Sequence, residues 1–188
     1  MIPYTIDRRP DTGVTNVTMG VWLFLASEVM LFGSLFSAYA LLRTAAQAWP
    51  AGRDVLNVGM ALANTLVLIG TTAAVWRAQS STSARAGRWL LISTGLAATF
   101  VILKGLEYGE ELGAGLVPAT NTFLAMYFTL TGLHALHVIG GAAANLWVWA
   151  ERSGRTQILM PGRLRAIALY WTLVDLVWLV ILVLFYLT

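Results

Sequence analysis

The chain has 188 residues, of which 58% are hydrophobic and 11% charged, and it carries a formal net charge of +3 and no cysteine. A composition this apolar lies outside the range of soluble globular domains and within that of integral membrane proteins. The lack of cysteine excludes a disulfide scaffold, a thiol nucleophile and a cysteine-ligated cluster. The first 17 residues lack the apolar core and cleavage site of a signal peptide, so we expect a short polar tail that is retained.

Five stretches are apolar enough and long enough to cross a bilayer, which takes about 20 apolar residues for a hydrocarbon thickness of ~30 Å. The predicted spans, numbered one to five, are residues 17–42, 55–76, 89–106, 122–150 and 166–187. The connections between them, residues 43–54, 77–88, 107–121 and 151–165, are short. We therefore predict an all-α fold in which residues 1–188 form a single transmembrane domain, a polytopic bundle of five helices.

Basic residues are unevenly distributed between the two ends of these spans. Nine arginines lie in the N-terminal tail and in the second and fourth connections, whereas the opposite side has Arg43 and Arg53. Loops rich in Lys and Arg remain in the cytoplasm. The sequence therefore predicts a cytoplasmic N-terminus and an external C-terminus.

The only two histidines, His134 and His137, lie in span four within FTLTGLHALHVIGG. Residues three apart share one face of a helix, so we expect both imidazoles to point toward the same neighbour. Three uses are open, namely a metal or haem ligand, a proton relay, and hydrogen bonds to buried polar partners or lipid head groups. The acidic residues are scattered rather than spaced as a ligand set, so we predict no metal site in this chain.

Two acidic residues, Glu28 in span one and Asp175 in span five, lie deep in the predicted spans. A charged carboxylate near the bilayer centre costs on the order of 2.5–3.5 kcal/mol, so we expect a neutral, hydrogen-bonded state or a polar partner. Glu28, His137 and Asp175 lie at similar depths, ~15–20 Å from the cytoplasmic edge, which allows a polar cluster joining spans one, four and five. A structural role and a proton-linked role are both open for these residues.

Two further polar pairs lie within the spans. Asn64 and Thr65 in span two are typical of residues that form interhelical hydrogen bonds. Lys104 and Glu107, three residues apart near the outer end of span three, predict a local ion pair, and Lys104 can also extend toward the membrane surface.

The histidine and cysteine content also limits the function. An enzyme that reduces oxygen or moves electrons requires several histidines on different helices, or cysteines, to hold haem, copper or clusters. Two histidines one turn apart supply neither, so this chain alone is not predicted to be a redox enzyme. The chain has five spans and no internal repeat, which disfavours a secondary transporter.

Successive sequence blocks resemble the cytochrome c oxidase subunit III family. They are WLFLASEVMLFGSLFSAY, ALANTLVL, LKGLEYGEE, MYFTLTGLHALHVIGG and YWTLVDLVWLVILVLFYL, one for each span in order. Longer members of the family have seven helices, and this chain matches the later five, so it is similar to the shorter bacterial form.

The resemblance implies a non-catalytic structural subunit of an aerobic respiratory haem-copper terminal oxidase, in the cytoplasmic membrane of a bacterium. Such a subunit packs beside oxidase subunit I, supports proton uptake and the stability of the active site, and binds phospholipid in a cleft between helices. It holds no cofactor of its own, and the haem and copper are expected in the partner subunits.

The resemblance also implies roles for individual residues. Glu28 matches the family's buried, carbodiimide-reactive glutamate, and other matching positions are Glu107, His134, His137, Tyr170, Trp171, Asp175 and Trp178. Glu107, Tyr170, Trp171 and Trp178, together with Asn64, are expected to make structural or lipid contacts. Two residues depart from the pattern, because Thr172 stands where the family usually has histidine, and Lys104 stands where no charge is expected.

Other functions remain open at this point. Subunit III of a quinol oxidase and the accessory subunit of nitric oxide reductase belong to the same superfamily. A different class of function is a free-standing proton channel or transporter that uses Glu28, His137 and Asp175.

Overall fold

A computed structural model describes residues 7–152 and 159–188, without the side chains of residues 83 and 84. The described part is all-α, as predicted. Its helices are α1 (Asn16–Ala45), α2 (Gly52–Val55), α3 (Val58–Gln79), α4 (Ser83–Gly113), α5 (Thr122–Ala150) and α6 (Met160–Ile181), and α6 continues into one π-helical segment, Leu182–Tyr186. Five of these helices are long and apolar enough to cross a membrane, which confirms the number of spans.

Polar side chains begin three of the long helices. The hydroxyl of Thr15 accepts a hydrogen bond from the Thr18 amide ahead of α1, and Asn57 and Asn121 act in the same way ahead of α3 and α5. These caps satisfy amide groups that have no partner inside the helix. The starts of these helices therefore follow from local sequence.

The ends of α4 and the start of α6 differ from the predicted spans. The connection predicted at residues 107–121 is helical as far as Gly113, and α6 begins at Met160, with Pro161 in its first turn, rather than at residue 166. Hydropathy identifies the stretch that crosses hydrocarbon, whereas a helix continues until its backbone is interrupted. Arg155 of the fourth connection lies outside the described residues.

Helices α3 to α6 form a ring in which α3 packs against α4 and α6, and α5 packs against the same two helices. Helix α1 lies outside this ring, against α5 and α6. Its buried residues are Leu25, Phe32 and Tyr39, which recur every seven residues along one narrow stripe. Most of α1 is therefore exposed on the surface of the bundle.

Close contact between α5 and α6 depends on Gly141. A Cβ atom at this position would lie 2.8 Å from Trp171 Cζ2 and 2.9 Å from Tyr170 Cε1. Only a residue without a side chain permits this approach. Trp171 and Trp178 of α6 are consequently buried in the centre of the bundle.

Candidate functional site

Glu28 and His137 form a hydrogen-bonded pair between α1 and α5. Glu28 Oε2 lies 2.7 Å from His137 Nε2, and His137 Nδ1 lies 2.8 Å from the Leu133 carbonyl oxygen. Because a carbonyl only accepts, Nδ1 carries a proton. Nε2 therefore either accepts from a protonated Glu28 or, in the imidazolium form, donates to a carboxylate. In both forms one proton lies between the two side chains.

A third helix, α6, also contacts this pair. The Tyr170 hydroxyl of α6 donates to the main-chain carbonyl of His137 at 2.8 Å, and the Phe32 ring packs edge-on against the imidazole. The His137 and Glu28 side chains are 16% and 13% exposed. The pair is thus partly open to the surface rather than sealed in the core.

His134 does not share this environment, and the prediction that both imidazoles face the same neighbour is wrong. His134 is fully buried between the rings of Phe100 and Trp178, at centroid distances of 5.7 and 5.2 Å. Neither of its ring nitrogens has a hydrogen-bond partner among the described residues. Positions three apart differ by about 60° around a helix axis, which is enough to direct one side chain into the ring of helices and the other toward α1.

Lys104 is the centre of a buried polar network near the C-terminal ends of α4 and α6. Its ammonium group donates to Glu107 at 2.9 Å, to the Tyr127 hydroxyl at 2.7 Å and to the Tyr186 hydroxyl at 2.6 Å. Tyr186 in turn donates to Glu107 at 2.7 Å, and Tyr127 donates to Glu111 at 2.7 Å. All three donors of the lysine are therefore satisfied by groups from α4, α5 and the π-helical segment.

This network confirms the predicted ion pair of Lys104 and Glu107, but it excludes a lysine that extends to the membrane surface. The two side chains are 2% and 1% exposed. Tyr127, Tyr186 and Glu111 were not predicted as members. The i, i+3 spacing identified the ion pair, whereas no spacing in the sequence relates the tyrosines, which lie on other elements, to Lys104.

Asp175 lies apart from the Glu28–His137 pair. It is half-buried on the side of α6 that faces α3, beside Thr72, and its Oδ1 atom has no hydrogen-bond partner among the described residues. A cluster joining spans one, four and five thus includes Glu28, His137 and Tyr170 but not Asp175. The prediction of a cluster rested on the similar depths of these residues in the membrane. Depth does not fix the direction of a side chain, and the rotation of α6 about its axis directs Asp175 toward α3.

The polar residues of span two behave differently from one another. Thr65 accepts a hydrogen bond from Trp178 Nε1 at 2.9 Å, as expected for an interhelical contact. Asn64 is fully buried, yet neither its amide nitrogen nor its oxygen is bonded within the described residues. The prediction that Asn64 forms an interhelical hydrogen bond is therefore wrong for the described part of the chain.

A second polar bridge connects three helices and was not predicted. Trp171 Nε1 donates to Asn145 Oδ1 at 3.2 Å, and Asn145 Nδ2 donates to Ser93 Oγ at 2.9 Å. Thr172, which replaces the expected histidine, accepts from Trp76 Nε1 at 3.3 Å. Trp171 and Trp178 are thus structural contacts between helices.

A cavity of about 660 Å³ opens at the end of the bundle where α1 and α6 begin and α5 ends. Its polar lining residues include Thr15, Thr18, Gln79, Arg163 and Arg165. Gln79 Oε1 and Arg163 Nη1 are buried and lack a hydrogen bond within the described chain. The Arg163 guanidinium also stacks over the Trp147 ring at 4.6 Å. The cavity therefore offers the Gln79 acceptor and two cations, Arg163 and Arg165, beside an apolar wall, and Glu151 Oε2 lies 3.8 Å from Arg163 Nη1.

Within the part of the chain that the structure describes, no three His, Cys, Asp or Glu side chains are grouped so that they could hold a metal ion. The two histidines, which the sequence left open as ligands, point to different neighbours.

Comparison with known proteins identifies the family. Residues 10–188 match the family model for cytochrome c oxidase subunit III. The chain belongs to the cytochrome c oxidase subunit III family. It is thus subunit III of a haem-copper oxidase of the cytochrome c or bo(3) quinol type.

The relatives include subunits of both ubiquinol oxidases and cytochrome c oxidases. Subunit 3 of the cytochrome bo(3) ubiquinol oxidase of Pseudomonas aeruginosa is 29% identical over 96% of this chain and 88% of the relative. Cytochrome c oxidase subunit 3 of Thermostichus vulcanus is 32% identical over 89% of this chain and 85% of the relative. The haem-copper oxidase subunit I+III of Aeropyrum pernix is 32% identical over 92% of this chain and 23% of that longer protein.

Proposed function

We propose that this chain, as a single transmembrane domain, packs beside subunit I of an aerobic respiratory oxidase and has no catalytic centre of its own, the haem and copper being carried by its partner subunits. The observation that carries the proposal is the Glu28–His137 pair, which joins the first and fourth of the sequence blocks that resemble the family. The fused subunit I+III relative supports subunit I as the direct neighbour.

The second part of the proposal is phospholipid binding in the cavity formed by α1, α5 and α6. The cavity has an apolar wall for acyl chains, and Arg163 and Arg165 at its rim suit a phosphate group. Gln79 Oε1 is buried without a hydrogen bond in the described chain, and Arg163 Nη1 has only the Glu151 carboxylate at 3.8 Å, so both atoms suit a polar ligand or water. A phospholipid head group provides oxygen acceptors for the arginine and, in phosphatidylglycerol or phosphatidylethanolamine, a donor for the glutamine.

The third part is support of proton uptake and of active-site stability. The Glu28–His137 pair shares one proton at membrane depth: both groups are neutral when Glu28 holds it, and they form an ion pair when His137 holds it. The proton is therefore able to pass between α1 and α5 without leaving a charge unpaired. The basic residues at the α1 and α6 starts favour this edge as the cytoplasmic one, in the cytoplasmic membrane of a bacterium.

Purification of the tagged chain from native membranes tests the proposal. We expect a haem- and copper-bearing subunit to co-purify in equal amount, retained phospholipid, and no Soret absorbance in the isolated chain. Isolation of the chain as a proton-conducting oligomer without an oxidase would overturn the proposal.

The proton-linked role needs a separate measurement on the assembled oxidase. Replacement Glu28→Gln keeps a side-chain donor for His137 Nε2 and removes the ionisable proton. We expect full assembly but lower turnover at alkaline pH, where proton supply limits the reaction. An unchanged pH profile of turnover would leave the pair with a structural role only.

A further inference from the structure

The buried network around Lys104 contains more acidic groups than cations. Lys104, Glu107 and Glu111 are 2%, 1% and 6% exposed. In the described part of the chain, the Lys104 ammonium group forms an ion pair with Glu107 and none with Glu111. If both glutamates were ionised, the network would therefore keep one negative charge uncompensated in a buried site, which is costly.

The hydrogen bonds of the two glutamates are unequal. Glu107 accepts from Lys104 at 2.9 Å and from the Tyr186 hydroxyl at 2.7 Å, through different carboxyl oxygens. Glu111 accepts one bond at Oε1, from the Tyr127 hydroxyl at 2.7 Å, and its buried Oε2 has no partner among the described residues. Donors around a carboxylate stabilise its charged form. Glu107 therefore has the surroundings of a carboxylate, and Glu111 does not.

The two carboxyl groups border the same hydroxyl. Tyr127 Oη lies 2.7 Å from Glu111 Oε1 and 3.2 Å from Glu107 Oε1. The charged and titratable side chains around Glu111 come from three elements: Lys104, Glu107, Tyr108 and Glu110 from α4, Tyr127 from α5, and Tyr186 from the π-helical segment. Lys104 is the cation in this set, and one ammonium group balances one of two neighbouring carboxylates. Like charges this close in a buried site favour a proton on one of the two acids.

We propose that the Lys104 network is a proton-binding site, in which Glu111 holds a proton while Lys104 and Glu107 are ionised. The bound proton brings the net charge of the network to zero. Glu111 lies two residues before the end of α4 at Gly113, and the intervening Leu112 is 48% exposed. Water at this end of the bundle, opposite the arginine-rich connections, therefore supplies and accepts the proton. The inference does not depend on the proposed function.

Infrared spectroscopy of the full chain, purified in mild detergent, tests for the bound proton. Isotope-labelled glutamate shifts the C=O stretching band of a protonated glutamic acid away from that of Asp175. A Glu28→Gln background removes the other buried glutamate that borders a shared proton. In this background we expect a glutamic acid band at neutral pH that Glu111→Gln abolishes. Glu110→Gln is the matched control, since Glu110 is exposed beside it, and should leave the band unchanged.

Absence of the band from the Glu28→Gln chain would overturn the inference, and so would a band that survives Glu111→Gln. Such a result would mean that Glu111 is ionised and that its Oε2 atom is bonded by water. If Glu111→Gln does not fold, the Glu28→Gln chain decides alone, because Glu107 and Glu111 are the buried glutamates that its described part retains.

The dependence of stability on pH gives a second readout with a definite sign. Unfolding exposes Glu111 to water, where it releases its proton, so the folded chain binds one proton more and loses stability as the pH rises. Glu111→Gln has no proton to release. We expect its unfolding midpoint, relative to that of the natural chain, to increase as the pH is raised from mildly acidic to alkaline. A relative midpoint that stays constant or decreases would contradict the bound proton.

Discussion

The Glu28–His137 pair joins a loosely attached helix to the bundle through two side chains. Helix α1 buries only a narrow stripe of apolar residues, so one hydrogen bond at 2.7 Å is a large share of its polar attachment. Loss of one member leaves the other without a partner in a largely dry environment, which costs about 1–3 kcal/mol. The two residues are therefore expected to be energetically coupled.

A double-mutant cycle measures this coupling. We expect Glu28→Ala and His137→Ala each to lower the thermal stability of the purified complex, and the double variant to lose about 0.5–3 kcal/mol less than the sum. Thermal unfolding monitored by circular dichroism provides the comparison. Additive losses would show that the hydrogen bond does not stabilise the bundle.

Lys104 illustrates how a charge is accommodated inside the bundle. The lysine has a carboxylate and two hydroxyl groups around it, and its three donors are all used. Removal of one partner from a buried ion pair typically costs about 3–5 kcal/mol, because the other charge stays buried. The arrangement explains why a lysine is tolerated at a position where the family pattern predicts no charge.

We expect Lys104→Met to destabilise the chain strongly, and a second change, Glu107→Gln, to restore part of the loss by removing the unpaired carboxylate. Arg53→Ala is the control, since Arg53 is 72% exposed and its contact with Asp54 is a surface one. Midpoints of thermal unfolding in detergent give the ranking. A Lys104→Met variant as stable as the control would contradict the structural role of the network.

At the scale of elements, the contact between α5 and α6 depends on two adjacent glycines in different ways. At Gly141 an added Cβ would meet Trp171 at 2.8 Å, whereas at Gly140 the nearest atom is the Tyr170 hydroxyl oxygen at 3.7 Å. The first distance requires the tryptophan or the helix to move, and the second is an ordinary contact. Substitutions at these two glycines therefore distinguish the effect of helix packing on stability from the effect of helix propensity.

Gly141→Ala is expected to lower stability by about 1–3 kcal/mol through overpacking. Gly140→Ala should be neutral or stabilising, because alanine is favoured over glycine in a helix by about 1 kcal/mol. The comparison uses unfolding midpoints of the two single variants under identical detergent conditions. Similar losses at both positions would mean that α6 does not press on Gly141.

At the scale of the whole molecule, the arginines determine orientation. The cavity edge carries Arg163 and Arg165, and the second connection at the same edge carries Arg77, Arg85 and Arg88. We expect the N-terminus in the cytoplasm and the C-terminus outside. An alkaline phosphatase fused to the C-terminus should be active and a fluorescent protein at the same site dark; the opposite result would invert the topology.

Much of the architecture follows from local sequence. Hydropathy over about 20 residues identifies the five spans, and Thr15, Asn57 and Asn121 begin three helices through bonds to amides only three residues away. The Lys104–Glu107 pair is similarly local. Such features depend on short segments, whose geometry is the same in any fold.

The tertiary structure decided which side chains meet. Depth along each span placed Glu28, His137 and Asp175 at one level, but only the rotation of each helix directed Asp175 toward Thr72 and Glu28 toward His137. The same applies to Tyr127 and Tyr186, which reach Lys104 from two other elements. Helix rotation is determined by packing of the large side chains around Trp171 and Trp178 against small residues such as Gly141, and no single segment contains that information.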